Sequence, residues 1–208
     1  MKHSILTIPA ALFAVSLFSC ENPADKTTGA AVKDKVEKTT DTAAGTKYVF
    51  TPESTIGFIG SKVTGSHNGG FKTFTGHFTI KDGKPVGNDH KVVIDMASTW
   101  ADDAKLTGHL KSGDFFDVEK IPQSTFDVTE LKAGENGAYT VAGNFTLHGV
   151  TKNITFPATV TQGTDTVTIK SEFNINRKDF GIVYAGQADN LIRDEVVIKL
   201  DLTAKPEA

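Results

Sequence analysis

The strongest constraint on this chain is an alternation of apolar and polar side chains that begins near Tyr48 and continues almost to the C-terminus. In residues 138–147 (AYTVAGNFTL), for example, Tyr139, Val141, Phe145 and Leu147 alternate with smaller or polar residues. Successive side chains of a β-strand point to opposite faces, so a period of two indicates strands with one buried and one solvated face. The pattern predicts an all-β domain.

Eight main strands are predicted, within residues 55–64, 74–80, 92–96, 126–128, 139–147, 150–160, 166–176 and 195–203. Turn-forming sequences separate several of them, such as DGKP at 82–85 and HG at 148–149. Short turns favour antiparallel pairing. Eight strands can close into a barrel, which removes exposed edges. A two-sheet sandwich stays open as the alternative, because the period alone does not decide between them.

Residues 99–122 break the alternation and are long for a hairpin loop. Asp102 and Asp103 could cap a short helix over residues 104–112, with Gly113 just past its end. Phe115 and Phe116 follow. We expect this loop to plug or cover one end of a barrel, or to form a site.

The N-terminus is predicted to lie outside the fold. Residues 1–20 combine a basic start at Lys2 with an uncharged apolar run that is too short to span a bilayer, which is typical of a signal sequence. The run ends at Cys20, the only Cys, in a pattern similar to a bacterial lipobox. A lipid on Cys20 would supply a membrane anchor; plain export is the alternative. Residues 21–46 are polar and lack aromatic residues, so we predict a flexible linker before a domain at 47–204.

Composition excludes several kinds of function. The net charge is −3 and Lys and Arg do not cluster, so nucleic-acid binding is not expected. A single Cys excludes an internal disulfide and a multi-Cys metal site. The His residues show no metal-ligand spacing, and nucleophile-elbow and phosphate-loop motifs are absent from the sequence. We therefore expect neither a metal site nor an enzyme.

Three segments resemble motifs of the YceI-like family, also called the polyisoprenoid-binding or lipocalin-like family. They are residues 108–117 (GHLKSGDFFD), 144–152 (NFTLHGVTK) and 173–182 (FNINRKDFGI). The resemblance implies a lipocalin-like antiparallel eight-stranded barrel that encloses a long isoprenoid chain, such as a quinone or polyprenyl lipid, in an exported bacterial protein. It would store or carry that lipid at the periplasmic side of the envelope, on either membrane.

Two alternatives to lipid binding remain: a ligand-free structural or stress-response envelope protein, and, third, a lipid-modifying enzyme. The sequence leaves the oligomeric state open, a homodimer included.

Aromatic side chains are the candidate ligand contacts, because rings give apolar walls with no donors to satisfy. Alternation places most of them on one face, and Phe116 and Phe180 come from the family-like segments. The set is Phe74, Phe78, Phe116, Phe126, Phe145, Phe156, Phe173 and Phe180. For each of them, ordinary core packing is the alternative role.

Arg177 is the candidate polar contact, since alternation puts it on the apolar face at the end of its strand. A buried guanidinium requires a partner. That partner is either a carboxylate, from Asp114, Asp117, Asp179 or Asp194, or the head group of a ligand.

Overall fold

The structure is a computed structural model that describes residues 21–208. The predicted signal sequence and Cys20 lie outside the described residues. The described part contains sixteen strands, one α-helix and three short 3-10 helices. The strands are β1 Thr28–Gly29, β2 Ala31–Asp34, β3 Thr46–Phe50, β4 Thr55–Lys62, β5 Gly65–Phe71, β6 Phe74–Lys81, β7 Lys84–Pro85, β8 Lys91–Asp95, β9 Thr99–Ala101, β10 Gln123–Ala133, β11 Ala138–Leu147, β12 Val150–Gln162, β13 Val167–Asn176, β14 Gly186–Gln187, β15 Asn190–Leu191 and β16 Glu195–Pro206. Helix α1 is Ala104–Lys111, and the 3-10 helices are Pro23–Lys26, Met96–Ser98 and Arg177–Phe180.

Eight of these strands form a closed antiparallel barrel. The order around the ring is β3, β6, β8, β10, β11, β12, β13 and β16, and β16 pairs back with β3. Strands β4, β5 and β9 extend the sheet beyond the edge of β16. The predicted eight-stranded barrel is thus confirmed, and the sandwich alternative is not supported. One strand differs: the ring includes β3, which is not among the predicted strands, and the strand predicted at 55–64 forms β4 beside the ring.

The β11–β12 hairpin follows directly from its turn residues. His148 and Gly149 both have positive φ angles, 50° and 75°, and Leu147 faces Val150 across the two-residue turn. Such a turn matches the twist of the flanking strands, and Gly takes up positive φ without steric cost. The turn fixes the register of the longest hairpin in the barrel.

The long loop forms the predicted helix and closes one end of the barrel. The Asp103 carboxylate accepts a hydrogen bond from the Leu106 N–H at 2.7 Å, which caps helix α1. Leu110 and Phe115 are both buried in the main hydrophobic core. Of the roles predicted for this loop, the structure supports the plug.

The predicted flexible linker is wrong for residues 23–34. Strand β1 pairs in parallel with β13, and β2 pairs antiparallel with β12, with Val32 opposite Ile154. Strands β12 and β13 pair with each other only over residues 159–162 and 167–170, so the N-terminal segment occupies the gap where they diverge. The segment has too few apolar residues for a core of its own, but the two open strand edges supply backbone partners and the barrel core receives Val32.

The chain after β2 is also held to the barrel. The Asn144 side chain bonds to both backbone groups of Val36, at 3.0 and 2.7 Å. Further on, Asn88 bonds to the Thr39 carbonyl and the Asp41 N–H. Residues 35–45 therefore run along the barrel wall without regular secondary structure.

Candidate functional site

An apolar cavity of about 120 Å³ lies inside the ring of strands, near the end where β12 turns into β13. Three of the predicted contacts, Phe78, Phe126 and Phe156, line it. The other lining residues include Phe50, Val92, Val141, Val160, Val167, Ile169, Leu200 and Leu202. Few polar groups border this cavity, so it suits an apolar ligand.

Five of the predicted Phe residues form one continuous group of rings. Phe156 stacks on Phe173 with ring centroids 4.1 Å apart, and Phe126 lies 5.6 Å from Phe156. Phe145 contacts both Phe126 and Phe180, at 6.5 and 5.1 Å. The group joins the wall of the cavity to the main core, where Phe173 and Phe180 are fully packed.

The remaining predicted Phe residues lie in two other groups. Phe74 and Phe78 pack against Phe50, with centroids 6.4 and 6.2 Å away. Phe116 lies at the plugged end, 6.4 Å from Phe58 and 6.0 Å from Phe71. Only Phe78 of these three predicted residues borders the cavity.

Sequence reasoning missed Phe50, Phe58 and Phe71. The available signal was weak: Phe50 follows Tyr48 by two positions, and Phe58 follows Ile56 in the same way. The first pair lies on β3 and the second on β4, in the part of the sequence where the alternation is least regular.

Arg177 is buried, with 4% of its surface exposed, and begins the 3-10 helix that follows β13. Its Nη1 donates to the Ile182 carbonyl at 2.8 Å, and its Nε donates to the Arg193 carbonyl at 3.1 Å. Its Nη2 lies 3.1 Å from the Asp194 carboxylate, one of the four predicted partners. Burial lowers the pKa of Arg177, and the negative charge of Asp194 opposes that effect.

These contacts support the structural role of Arg177. Protein oxygens accept hydrogen bonds from all three guanidinium nitrogens, and Arg177 does not line the cavity. The guanidinium ties the start of the 3-10 helix to the segment that leads into β16.

Residues 48–204 match the model of the YceI-like domain. The chain belongs to the YceI-like domain family. A UPF0312 protein of Pseudomonas putida strain W619 is 31% identical over 169 residues, which cover 76% of this chain and 87% of that protein. A UPF0312 protein of Yersinia enterocolitica is 40% identical over 120 residues, 55% of this chain and 62% of that protein.

Solved structures show the same fold as this YceI-like chain. BcnA of Burkholderia cenocepacia has a TM-score of 0.64 and 27% identity, and the match covers 74% of this chain and 97% of BcnA. A polyisoprenoid binding domain from Saccharophagus degradans, implicated in plant cell wall breakdown, has a TM-score of 0.65 and 18% identity over 77% of this chain and 98% of that domain. At that identity the second match shows the fold alone.

The three motifs of the YceI-like domain have different structural roles. Residues 108–117 form the end of α1 and the plug, residues 144–152 form the β11–β12 hairpin, and residues 173–182 carry Arg177. The His148 ring also bonds to the Phe180 backbone carbonyl at 3.3 Å, which joins the second motif to the third. The motifs thus organise the barrel wall and its plugged end.

His90 is a cavity residue that the sequence analysis did not single out. It lies just before β8, on the same side as Val92, and only 3% of its surface is exposed. It borders the cavity together with Val92. The signal was present, since His90, Val92 and Ile94 follow the same period of two, but a lone His has no motif to mark it.

Two other His residues form exposed pairs with carboxylates. His67 Nδ1 lies 2.7 Å from Asp102, and His109 Nε2 lies 2.8 Å from Asp114. A hydrogen bond from the Asn68 N–H, and then one from His67, lower the pKa of Asp102. Within residues 21–208, His, Cys, Asp and Glu form no group of three or more that could hold a metal ion.

A larger depression, of about 1250 Å³, lies among β4, β5, β12, β13 and β16 of this YceI-like domain. Its lining includes exposed residues such as Pro157, Lys170 and Asp201, together with apolar residues such as Phe58 and Phe71. Lys170 and Asp201 pair with each other at 2.8 Å. This depression is open and mixes charged with apolar residues, whereas the inner cavity is almost entirely apolar, so the smaller inner cavity is the better candidate for an apolar ligand.

Proposed function

We propose that this YceI-like domain holds the chain of an isoprenoid lipid inside its barrel, for storage or transport at the bacterial envelope. The apolar cavity inside a closed ring of strands is the observation that carries the proposal. The polyisoprenoid binding domain with the same fold supports the choice of ligand class. We expect binding without catalysis.

Burial of apolar surface is sufficient to drive such binding. Each methylene group removed from water contributes about 0.8 kcal/mol. The ordering of a flexible chain and the loss of its free motion offset part of that gain. A ligand with many methyl and methylene groups therefore needs few polar contacts.

The cavity is small compared with a whole isoprenoid lipid, so its size limits how much of the chain it can hold without rearrangement. An engineered protein cavity of about 150 Å³ holds one benzene molecule, so a cavity of about 120 Å³ fits a short part of a prenyl chain. A longer chain requires the rings of Phe126 and Phe156, which border the cavity, to change rotamer. The tight stacking of Phe156 on Phe173 favours the second candidate, a packed barrel without a ligand.

The proposed location at the envelope is inferred from the N-terminal sequence. We propose that residues 1–20 direct export and that a lipid on Cys20 anchors the protein on the periplasmic side. Among the described residues, no helix combines the length and apolar character that crossing a bilayer requires. The charge pattern of the chain supports no nucleic-acid partner.

Native mass spectrometry of protein purified without delipidating detergent tests the function. We expect a co-purifying hydrophobic mass, which Ile169→Trp should remove because Ile169 borders the cavity. Thr168→Trp is the matched control, since Thr168, which precedes Ile169 on β13, points to the opposite face and lies outside the cavity. Apo masses for all three proteins after gentle purification would support the packed barrel instead.

A further inference from the structure

The cavity of this barrel is bordered by His90, a buried residue whose ring uses only one of its two nitrogens in hydrogen bonds within the described residues. The Thr79 backbone N–H donates to His90 Nδ1 at 3.4 Å. His90 Nε2 is buried and has no hydrogen-bond partner among the described residues. A buried donor or acceptor without a partner costs about 1–3 kcal/mol, so such a group in a native protein requires an explanation.

The bond from Thr79 defines which nitrogen of His90 carries the proton. An N–H can donate to Nδ1 only when that nitrogen is unprotonated, so the proton of the neutral ring lies on Nε2. Burial, and then the positive charge of Lys38, lower the pKa of His90, while the Asp89 backbone has a smaller opposite effect. The ring is therefore neutral at pH 7, and its Nε2–H is a donor.

The surroundings of this donor determine what chemistry it can recognise. The cavity walls beside His90 are apolar, since Phe78 on the adjoining strand β6 and Val92, two residues after His90, both line the cavity. A phosphate or carboxylate placed there would lose its hydration and gain only a neutral donor, which does not compensate a full charge. An uncharged oxygen loses far less on transfer from water.

We propose that His90 Nε2 donates a hydrogen bond to an uncharged oxygen, a carbonyl or a hydroxyl, of the lipid in the cavity. The cavity then selects oxygen-bearing prenyl lipids over prenyl hydrocarbons of the same length. This proposal rests on the proposed function, and it adds the specificity of the same site.

Three fifteen-carbon probes test the proposal: farnesol, farnesal and farnesene, which carry a hydroxyl, a carbonyl and no oxygen. The variant is His90→Asn, because the Asn carbonyl can replace Nδ1 as the acceptor for Thr79 while Nε2 is removed. His67→Asn is the control, since His67 bonds to Asp102 outside the cavity. Equilibrium dialysis of the purified full chain with labelled probes gives the affinities.

In His90→Asn, we expect roughly three- to tenfold weaker binding of farnesol and farnesal, the range for one neutral hydrogen bond. Farnesene binding should change by less than about twofold, and His67→Asn should bind all three probes like the unmodified protein. As a second test that needs no variant, the carbonyl stretch of ¹³C-labelled farnesal should lie at a lower frequency in the protein than in hexane.

The other outcomes are distinguishable. Equal weakening of all three probes would overturn the proposal, since it would show a change of cavity shape. The proposal would also be overturned if His90→Asn bound the three probes with the same relative affinities as the unmodified protein and the carbonyl stretch of bound farnesal matched that in hexane. That pair of results would show that Nε2 bonds to water and not to the lipid. An effect confined to farnesol would overturn the assigned donor role. If the unmodified protein binds none of the probes, the proposed function fails together with this inference.

Discussion

Arg177 illustrates how this protein accommodates a buried charge. Its guanidinium has one carboxylate partner and several backbone carbonyl partners, and all of them lie within the segments that flank β16 and the last 3-10 helix. A buried charge with this many partners is costly to remove, because the groups left behind stay buried and lose their bonds. The residue therefore determines the local chain path.

Replacement of this side chain should destabilise the protein. We expect Arg177→Met to lower the free energy of unfolding by about 3–5 kcal/mol, the range for breaking a buried ion pair. Lys178→Met is the control: Lys178 also reaches Asp194, at 2.8 Å, but is half exposed, so its loss should cost about 1 kcal/mol or less. Urea denaturation of the ligand-free proteins measures both values, and equal midpoints would contradict the structural role.

At the residue scale, three Gly residues on the strands are covered by Phe rings, a contact that the sequence does not reveal. Gly143 and Gly76 both occupy inward positions of the barrel, where a Gly leaves the strand without a side chain to pack. In the structure the Phe126 ring covers Gly143 and the Phe50 ring covers Gly76, so closely that an added Cβ would overlap each ring. Gly69 receives Phe58 in the same way. Which ring covers which Gly depends on the strand pairing.

At the scale of elements, the N-terminal segment is part of the barrel wall. Strands β1 and β2 lie between β12 and β13, and Val32 packs on the main core. Val36, four residues later, has an exposed side chain. The two valines thus distinguish a side chain that packs on the core from one that faces the solvent in the same wall-bound segment.

A pair of substitutions tests this assignment. Val32→Asp should lower the free energy of unfolding by about 1–3 kcal/mol and speed amide exchange at residues 31–34, because it places a carboxylate against apolar side chains. Val36→Asp should change stability by less than about 0.5 kcal/mol. A flexible linker would leave both variants indistinguishable from the unmodified protein in urea denaturation and hydrogen exchange.

At the scale of the whole molecule, a barrel with one plugged end follows an N-terminal segment that is held to its wall. The first described residues lie close to the barrel, since Asn22 accepts a hydrogen bond from the buried Ser61 hydroxyl at 3.4 Å. A lipid on Cys20 would therefore place the barrel next to the membrane surface. That arrangement suits a protein that exchanges lipid with a bilayer.

The anchor itself is tested by fractionation. Cys20→Ser should move the protein from the membrane fraction to the soluble fraction, since a lipidated Cys20 is the proposed anchor. Ser19→Ala is the control, because it keeps a small residue before the Cys and should leave the protein at the membrane. Membrane association that persists in Cys20→Ser would contradict the lipoprotein proposal.

The sequence by itself determined seven of the eight ring strands, their inward faces, the His148–Gly149 turn and the Asp103 cap, because these depend on neighbours two to four residues apart. The resemblance of three segments to motifs of the YceI-like family also indicated the family from the sequence. Alternation also put Phe78, Phe126 and Phe156 on the inner face, but it could not distinguish cavity wall from packed core, which separates them from Phe173.

Tertiary structure alone decided the rest. The N-terminal segment became two strands because β12 and β13 diverge and leave open edges, which no local pattern in residues 21–46 records. His90 acquired a free Nε2 because Thr79, eleven residues away, donates to Nδ1. Asp194 became the partner of Arg177 because the chain returns to it after a short hairpin. Each of these results depends on which strands meet when the ring closes, and closure is a property of all eight strands together.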